Sequence, residues 1–263
     1  MNEAEAGPAF ETLTFTTAPD HVATITLNRP HALNAFNQTM LDEFIRVWTR
    51  CREDDAIHAI VLQANGERAF STGVDQKLGR RRAASPWHDD DPGASLGAKQ
   101  NRVWKPLICA LNGMVAGGAF YLVNEADIVI GSEDIQLFDP HTSYGMTAAL
   151  EPIGLLRRMP FGDVMRLALM GLDERIGAER ALAIGLVTEI VPRQALRARA
   201  RQLARRLADK PPIAVQGTVK AIWQSMDMSA SGSRVIPMLY PQVGNPLART
   251  AFTAASRPAY ELR

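Results

Sequence analysis

The sequence predicts a mixed α/β (α+β) fold, and three observations carry that expectation. Short runs of strand length alternate or are wholly apolar, a run at helical spacing lies between them, and the patterning turns purely helical toward the C-terminus. Phe10 to Thr16 and His21 to Leu27 alternate apolar and polar residues around Pro19-Asp20, the pattern of a hairpin. Beyond a loop over 28–37, Met40, Leu41, Phe44, Ile45, Trp48 and Cys51 recur at helical spacing, with Asn37 placed to cap the helix. Ile57 to Gln63, Leu107 to Leu111 and Asp127 to Ile130 read as buried strands, and Phe120 to Glu125 as a helix. The aperiodic stretch from Gly79 to Gly97 reads as a surface loop. From Ala178 onward the pattern is helical: one helix stops at Gly185, and the next carries Leu196, Leu203 and Leu207 on one face before Pro211-Pro212. No strand signal follows Val191, so the chain divides into a mixed core over 1–195 and a helical tail over 196–263.

Composition narrows the function classes. The chain has 263 residues, 46% of them apolar, enough for a sizeable core. A net charge of +1 creates no global field toward nucleic acid or an acidic membrane. The arginines of 193–206 are spread around a helix without interleaved aromatics, so no nucleic-acid partner is expected. Cys51 and Cys109 sit in apolar segments without metal-ligand spacing and read as buried thiols of a reducing compartment; no metal or redox cofactor is expected. The acidic N-terminus lacks the apolar core of a signal peptide, and no apolar run approaches the roughly 20 residues of a membrane helix. The expectation is a cytoplasmic protein with no membrane partner.

Two glycine-bearing turns stand out: Phe70-Ser71-Thr72-Gly73-Val74-Asp75 and Asn112-Gly113-Met114-Val115-Ala116-Gly117-Gly118. Glycines at such turns leave backbone N–H groups unpaired and let a ligand approach the main chain. Taken together, in this order, the two turns resemble the paired motifs of the crotonase (enoyl-CoA hydratase/isomerase) superfamily. Leu27-Asn28-Arg29-Pro30-His31-Ala32-Leu33-Asn34-Ala35 and Ala181…Gly185-Leu186-Val187 resemble two further signatures of that family.

The resemblance implies a spiral of β-β-α turns closing on the helical tail, assembled as a trimer or a pair of trimers through that tail, whose Leu196, Leu203 and Leu207 stripe is expected to need a partner surface. It implies an acyl-coenzyme A thioester as substrate, with coenzyme A part of that substrate rather than a cofactor. The Val74 and Gly118 N–H groups would then donate to the thioester oxygen and stabilise the negative charge that develops there. Coenzyme A would lie along Arg29, Ala32 and Leu33 and along Ser71, Gly73, Asp75 and Gly117, although Asp75 is as well placed to cap its own turn. Arg80, Arg81 and Arg82 are candidates for its phosphates, with a solvated charge run as the plainer reading. Trp87 and Trp104 are candidates for the acyl wall, or for ordinary packing.

The chain departs from the family where hydratases carry two glutamates: Tyr121 stands at the first position and His141, in Phe138-Asp139-Pro140-His141, at the second. Histidine titrates near neutrality and is the candidate base, whereas tyrosine can only donate or orient. Asp139, Tyr144 and Glu151 are candidates to orient the imidazole. Glu125, one turn beyond Tyr121, is a candidate substitute carboxylate, with an exposed helix-end residue as the plainer reading. The expectation is therefore an acyl-CoA lyase, isomerase or hydrolase working by isomerisation, C–C or thioester hydrolysis, or decarboxylation. A conventional hydratase and a catalytically inactive acyl-CoA binder stand as alternatives.

Overall fold

A computed structural model of the chain describes residues 10–75, 77, 91, 93, 95–249 and 261–262. Among the described residues ten strands form two sheets. The strands are β1 (Leu13–Thr17), β2 (Val22–Leu27), β3 (Ala59–Ala64), β4 (Ala69–Ser71), β5 (Leu107–Leu111), β6 (Met114–Ala116), β7 (Ile128–Ser132), β8 (Gln136–Phe138), β9 (Ile176–Gly177) and β10 (Glu189–Val191). A six-stranded sheet runs in the order β1-β2-β3-β5-β7-β10, and a four-stranded sheet in the order β4-β6-β8-β9. The chain steps from β3 to β4, from β5 to β6 and from β7 to β8, so each passage lays one strand in each sheet. This is the spiral of strand pairs expected from the resemblance.

The expected hairpin is present, with β1 antiparallel to β2 in the register Phe15↔Ile25. Within the same sheet β2, β3, β5, β7 and β10 then pair in parallel, whereas β8 and β9 of the smaller sheet pair antiparallel. Side chains alternate across the pleat, and both faces of the large sheet are covered. Ile60 and Leu62 of β3 face a cluster with α1 (Gln38–Glu53), whereas Ala59 and Val61 face α6 (Leu196–Ala208). Asn37 caps α1 as expected, accepting from Met40 N at 3.0 Å. The helix buries Met40, Leu41, Phe44, Trp48 and Cys51, but Ile45 of the expected stripe faces solvent.

The tail requires a correction. The Leu196, Leu203 and Leu207 stripe, expected to need a partner surface, is covered by this chain's own sheet. Leu196, Ala200, Ala204 and Ala208 are buried against Val22, Val61, Ile108 and Ile130, with Leu203 and Leu207 packed beside them. Alanine at every fourth position lets the helix lie close on the sheet. Beyond it, α7 (Pro212–Ser225), α8 (Gly232–Val235) and α9 (Leu239–Arg249) present exposed apolar residues such as Ile222, Val235, Leu239 and Val243. Among the described residues no strand follows β10.

One carboxylate joins three regions. Asp127, just before β7, accepts from Lys99 Nζ at 2.8 Å, from Leu107 N at 2.7 Å and from Trp223 Nε1 of α7 at 2.6 Å. Lys99 is buried, and desolvation draws its pKa down against the pull of Asp127. No helix among the described residues is long and apolar enough to cross a membrane.

Candidate active site

The site lies where three parallel strands end together. In the four-stranded sheet β4, β6 and β8 run parallel, with Ser71 level with Val115 and Ala116 level with Phe138. Their C-terminal ends therefore deliver three turns to one edge: Thr72-Gly73-Val74, Gly117-Gly118 and Asp139-Pro140-His141. In open parallel sheets ligands bind outside the carboxyl ends of the strands.

The first two turns touch through their backbones. Gly73 has φ +83, and a Cβ on it would lie 2.6 Å from Gly118 N, so only glycine fits. A Cβ on Gly118 would lie 3.4 Å from Val74 N. Since a Cβ sits about 2.5 Å from its own nitrogen, the two amide nitrogens are within about 6 Å of each other. Neither N–H has a hydrogen-bond acceptor among the described residues. Gly117, at φ +51, turns the chain between β6 and α2 (Ala119–Asn124), and its N–H donates to Phe138 O at 3.3 Å.

The loop over 29–36 braces the Val74 turn. Phe36 N donates to Gly73 O at 2.8 Å, Asp75 N to Phe36 O at 2.9 Å, Thr72 N to Leu33 O at 3.2 Å and Ser71 Oγ to Asn34 O at 2.8 Å. Buried Asn34 organises this loop, accepting from Arg29 N at 2.8 Å and donating to Asn65 O and Ala69 O. The side chains expected along coenzyme A are largely engaged within the chain. Arg29 pairs with Asp75 at 3.2 Å and donates to Ala35 O, and Ser71 is fully buried. Asp75 caps its own turn by accepting from Lys77 N at 3.0 Å, which, with Arg29, holds its carboxyl below the usual range. Ala32 and Leu33 close a short 3-10 turn and are partly exposed, with Leu33 at φ +52.

His141 stands beside the glycine pair: a Cβ on Gly117 would lie 3.7 Å from its Cε1. Its Nδ1 contacts Asp139 Oδ1 at 2.5 Å, and its backbone N donates to the same oxygen at 3.1 Å. A carboxylate only accepts, so Asp139 fixes the Nδ1–H tautomer and turns Nε2 outward. That hydrogen bond, opposed by partial burial, pushes the imidazole pKa above its usual range. Nε2 faces Glu151 Oε1 at 3.7 Å. Glu151 belongs to α3 (Leu150–Leu155) and is buried, which raises its own pKa. Of the three candidates to orient the ring, Asp139 does so and Glu151 faces its other nitrogen, while Tyr144 is exposed.

Tyr121 completes the cluster from α2. Its hydroxyl is buried without a hydrogen-bond partner among the described residues, and burial beside the Glu151 and Asp91 carboxylates drives its pKa upward. Asp139 Oδ2 is likewise buried and unpartnered. Glu125 lies elsewhere, accepting from Lys99 N at 2.6 Å and Gln100 N at 3.0 Å. It is neither a carboxylate for His141 nor an exposed helix end, because it caps the Gly97–Gln100 turn.

The remaining candidates fall away from this cluster or outside the described residues. Arg80, Arg81, Arg82 and Trp87 lie outside them. Trp104 carries the Lys220 ammonium of α7 over its face at 5.6 Å, so its ring serves the tail contact. The arginines of the 193–206 segment are tied internally, Arg199 to Glu189, Arg201 to Asp20 and Arg206 to Glu261. Cys51 and Cys109 are buried free thiols, and burial pushes the Cys51 thiol up to about 12. No group of three or more His, Cys, Asp or Glu among the described residues is arranged to hold a metal ion.

Known proteins share this arrangement of sequence and fold. A family model for enoyl-CoA hydratase/isomerase matches residues 17–236. The chain is 33% identical over 214 residues to the (E)-benzylidenesuccinyl-CoA hydratase of Thauera aromatica, covering 80% of this chain and 81% of that one. It is 30% identical to the short-chain-enoyl-CoA hydratase of Clostridium acetobutylicum, over 78% of each. Its fold matches the crystal structure of an enoyl-CoA hydratase/isomerase from Mycobacterium paratuberculosis with a TM-score of 0.82 at 31% identity, covering 94% of this chain and 92% of that one. A match running from β1 to the tail, on a sheet edge carrying both glycine turns, identifies this chain as a member of the enoyl-CoA hydratase/isomerase family.

Proposed function

We propose that this chain binds an acyl-CoA thioester, holds its oxygen between the Val74 and Gly118 N–H groups, and uses His141 to carry the proton to and from the α-carbon. The observation that carries this reading is the approach of two acceptor-free amides on adjoining glycine turns, with an Asp139-oriented imidazole at the same edge. An oxygen placed between two fixed donors gains most when it becomes an enolate oxygen, so the donors favour the charged state over the substrate. Removal of an α-proton then needs one base of suitable proton affinity, and a histidine held by a carboxylate supplies it. Isomerisation, C–C or thioester hydrolysis and decarboxylation all share this oxyanion or enolate. The sequence favours them because neither usual glutamate position carries glutamate. The reading assigns no metal or redox cofactor.

Exchange of the α-protons of butyryl-CoA in deuterated water, followed by NMR, tests the assignment. The wild type is expected to catalyse exchange, and His141→Gln, which keeps bulk but removes the basic nitrogen, to lose it by about 10²-fold or more. Exchange at the wild-type rate in His141→Gln would eliminate the imidazole as proton carrier.

Assembly as a trimer or a pair of trimers belongs to the same reading. It is supported by exposed apolar side chains on α3 (Ile153), on α4 (Phe161–Met170; Phe161, Leu169) and on the tail (Val235, Val243). Sedimentation giving a compact monomer at micromolar concentration would remove it.

A further inference from the structure

We propose that Glu151 is the water-activating base of this site, paired with His141 as the acid, and that together they add water to an α,β-unsaturated acyl thioester or remove it from the 3-hydroxyacyl thioester. The inference rests on the placement of the thioester oxygen between Val74 and Gly118, and it adds a catalytic residue from α3, outside both positions where the family's hydratases carry glutamate. The sequence alone favours the other reactions, because a lone histidine has no carboxylate to steer water; the fold supplies that carboxylate from α3 and so restores hydration to this site.

Three carboxylates, Asp91, Asp139 and Glu151, face Tyr121 or His141, and their contacts single out Glu151. Glu125 lies away from them, occupied by two backbone N–H groups of the 97–100 turn. Asp139 Oδ1 is held by the His141 backbone N–H and by Nδ1. Asp91 accepts from Gly93 N at 2.7 Å. Among the described residues, Glu151 is the carboxylate that reaches His141 Nε2, the nitrogen that Asp139 leaves outward, at 3.7 Å. That separation is too long for a direct hydrogen bond, and a side-chain shift of about 1 Å closes it.

Glu151 is held in place by the helix that carries Tyr121. Asn124, one turn beyond Tyr121 on α2, donates from Nδ2 to Glu151 O at 2.9 Å. The two helices meet at a glycine, since a Cβ on Gly154 would come within 2.1 Å of Asn124 Nδ2. Beside Glu151, the buried Tyr121 hydroxyl lacks a hydrogen-bond partner among the described residues. A buried hydroxyl beside a buried carboxylate that itself faces an imidazole is a set of groups suited to one water or one substrate hydroxyl.

The steps balance without a further reactant. Water loses a proton to Glu151 as its oxygen bonds to the β-carbon. The electron pair of the carbon–carbon double bond moves toward the thioester, and its negative charge collects on the oxygen between the Val74 and Gly118 amides. Imidazolium Nε2 then delivers its proton to the α-carbon. The proton on Glu151 passes across the closed contact to Nε2 and restores the starting state. Burial raises the proton affinity of Glu151 and so suits it to accept from water, while Asp139 keeps the proton on His141. The groups facing His141 are Asp139, Glu151 and Asp91, and Tyr121 faces the last two.

Two reactions measured on one variant decide the matter. Glu151→Gln keeps shape and removes a buried acid, so circular dichroism and melting should match the wild type or exceed it. Hydration of crotonyl-CoA, followed by loss of the enoyl absorbance, is expected to fall about 10²- to 10⁴-fold, whereas α-proton exchange of butyryl-CoA falls less than about tenfold. Glu151→Asp should recover part of the hydration. Hydration by Glu151→Gln within about threefold of wild type would overturn the role. An equal loss of hydration and exchange would also overturn it, by showing that Glu151 acts only through His141. A wild type that exchanges but hydrates no enoyl-CoA would overturn this inference alone. A wild type that does neither would overturn the oxyanion reading beneath it.

Discussion

The two sheets differ in length of strand and in task. The six-stranded sheet has strands of five or six residues in β1, β2, β3, β5 and β7, and its inner strands are buried on both faces by α1 and α6. The four-stranded sheet has strands of two or three residues, yet it delivers the Val74, Gly118 and His141 turns. Long strands secure the fold by continuous burial, which leaves the short ones free to end early and turn their backbone toward a ligand. Stability and chemistry therefore sit in neighbouring layers, and substitutions in one are expected to leave the other largely untouched.

The largest expected effect breaks the scaffold. Trp48 of α1 is fully buried, stacks on Phe44 at 5.7 Å and donates from Nε1 to Leu96 O at 2.9 Å. Trp48→Ala should cost about 3–5 kcal/mol in denaturant unfolding. A loss below about 1 kcal/mol would mean that the cluster under the large sheet does not set stability.

Gly118→Val strikes the other layer. Its first carbon meets only ordinary contacts at 3.4 Å, but its methyl groups crowd the Val74 N–H. Turnover is expected to fall about 10²- to 10³-fold, with far less change in unfolding than for Trp48→Ala. Equal losses in stability and turnover would contradict the division between the layers.

Asp139→Asn sharpens the comparison through pH. The hydrogen bond that His141 Nδ1–H donates to Asp139 raises the His141 pKa, so the imidazolium is favoured in the folded state. Its contribution to stability is complete below the unfolded pKa of about 6.5 and is lost as pH rises through the higher folded value. In hydration, where His141 acts as the acid, Asp139→Asn should therefore move the alkaline limb of the pH–rate profile to lower pH. An unmoved limb would assign that ionisation to another group.

The smallest effect lies in the scaffold again. Asn37→Ala removes the cap of α1 and should cost about 1 kcal/mol in unfolding, with turnover kept.

The same division decided what was legible in the sequence. The β1–β2 hairpin, α1, β3 and β5 announce themselves because their apolar period runs for five residues or more. The strands β8 and β9 are too short to show a period, so the second sheet is invisible until the chain is folded. Its glycine turns were visible because Gly73 and Gly117 need positive φ and carry a resemblance. Glu151 was visible only as a neighbour in sequence, since its approach to Nε2 depends on how α3 lies on α2. The leucine stripe of α6 was misjudged because an apolar face does not say whether its cover is a sheet of the same chain or a partner.

Asp127 gives this architecture a further property. A single carboxylate receives Lys99, the first residue of β5 and the indole of α7. Lys99 and Gln100 are also gripped by Glu125, and the segment just before them brings Gly93 against the Tyr121 ring. Lifting α7 away would strip a donor from Asp127 and weaken its hold on Lys99, and opening the segment before Lys99 would do the same to α7. Local openings of the two parts thus share one cost, and hydrogen exchange should report them as one cooperative unit although more than a hundred residues separate them in the chain.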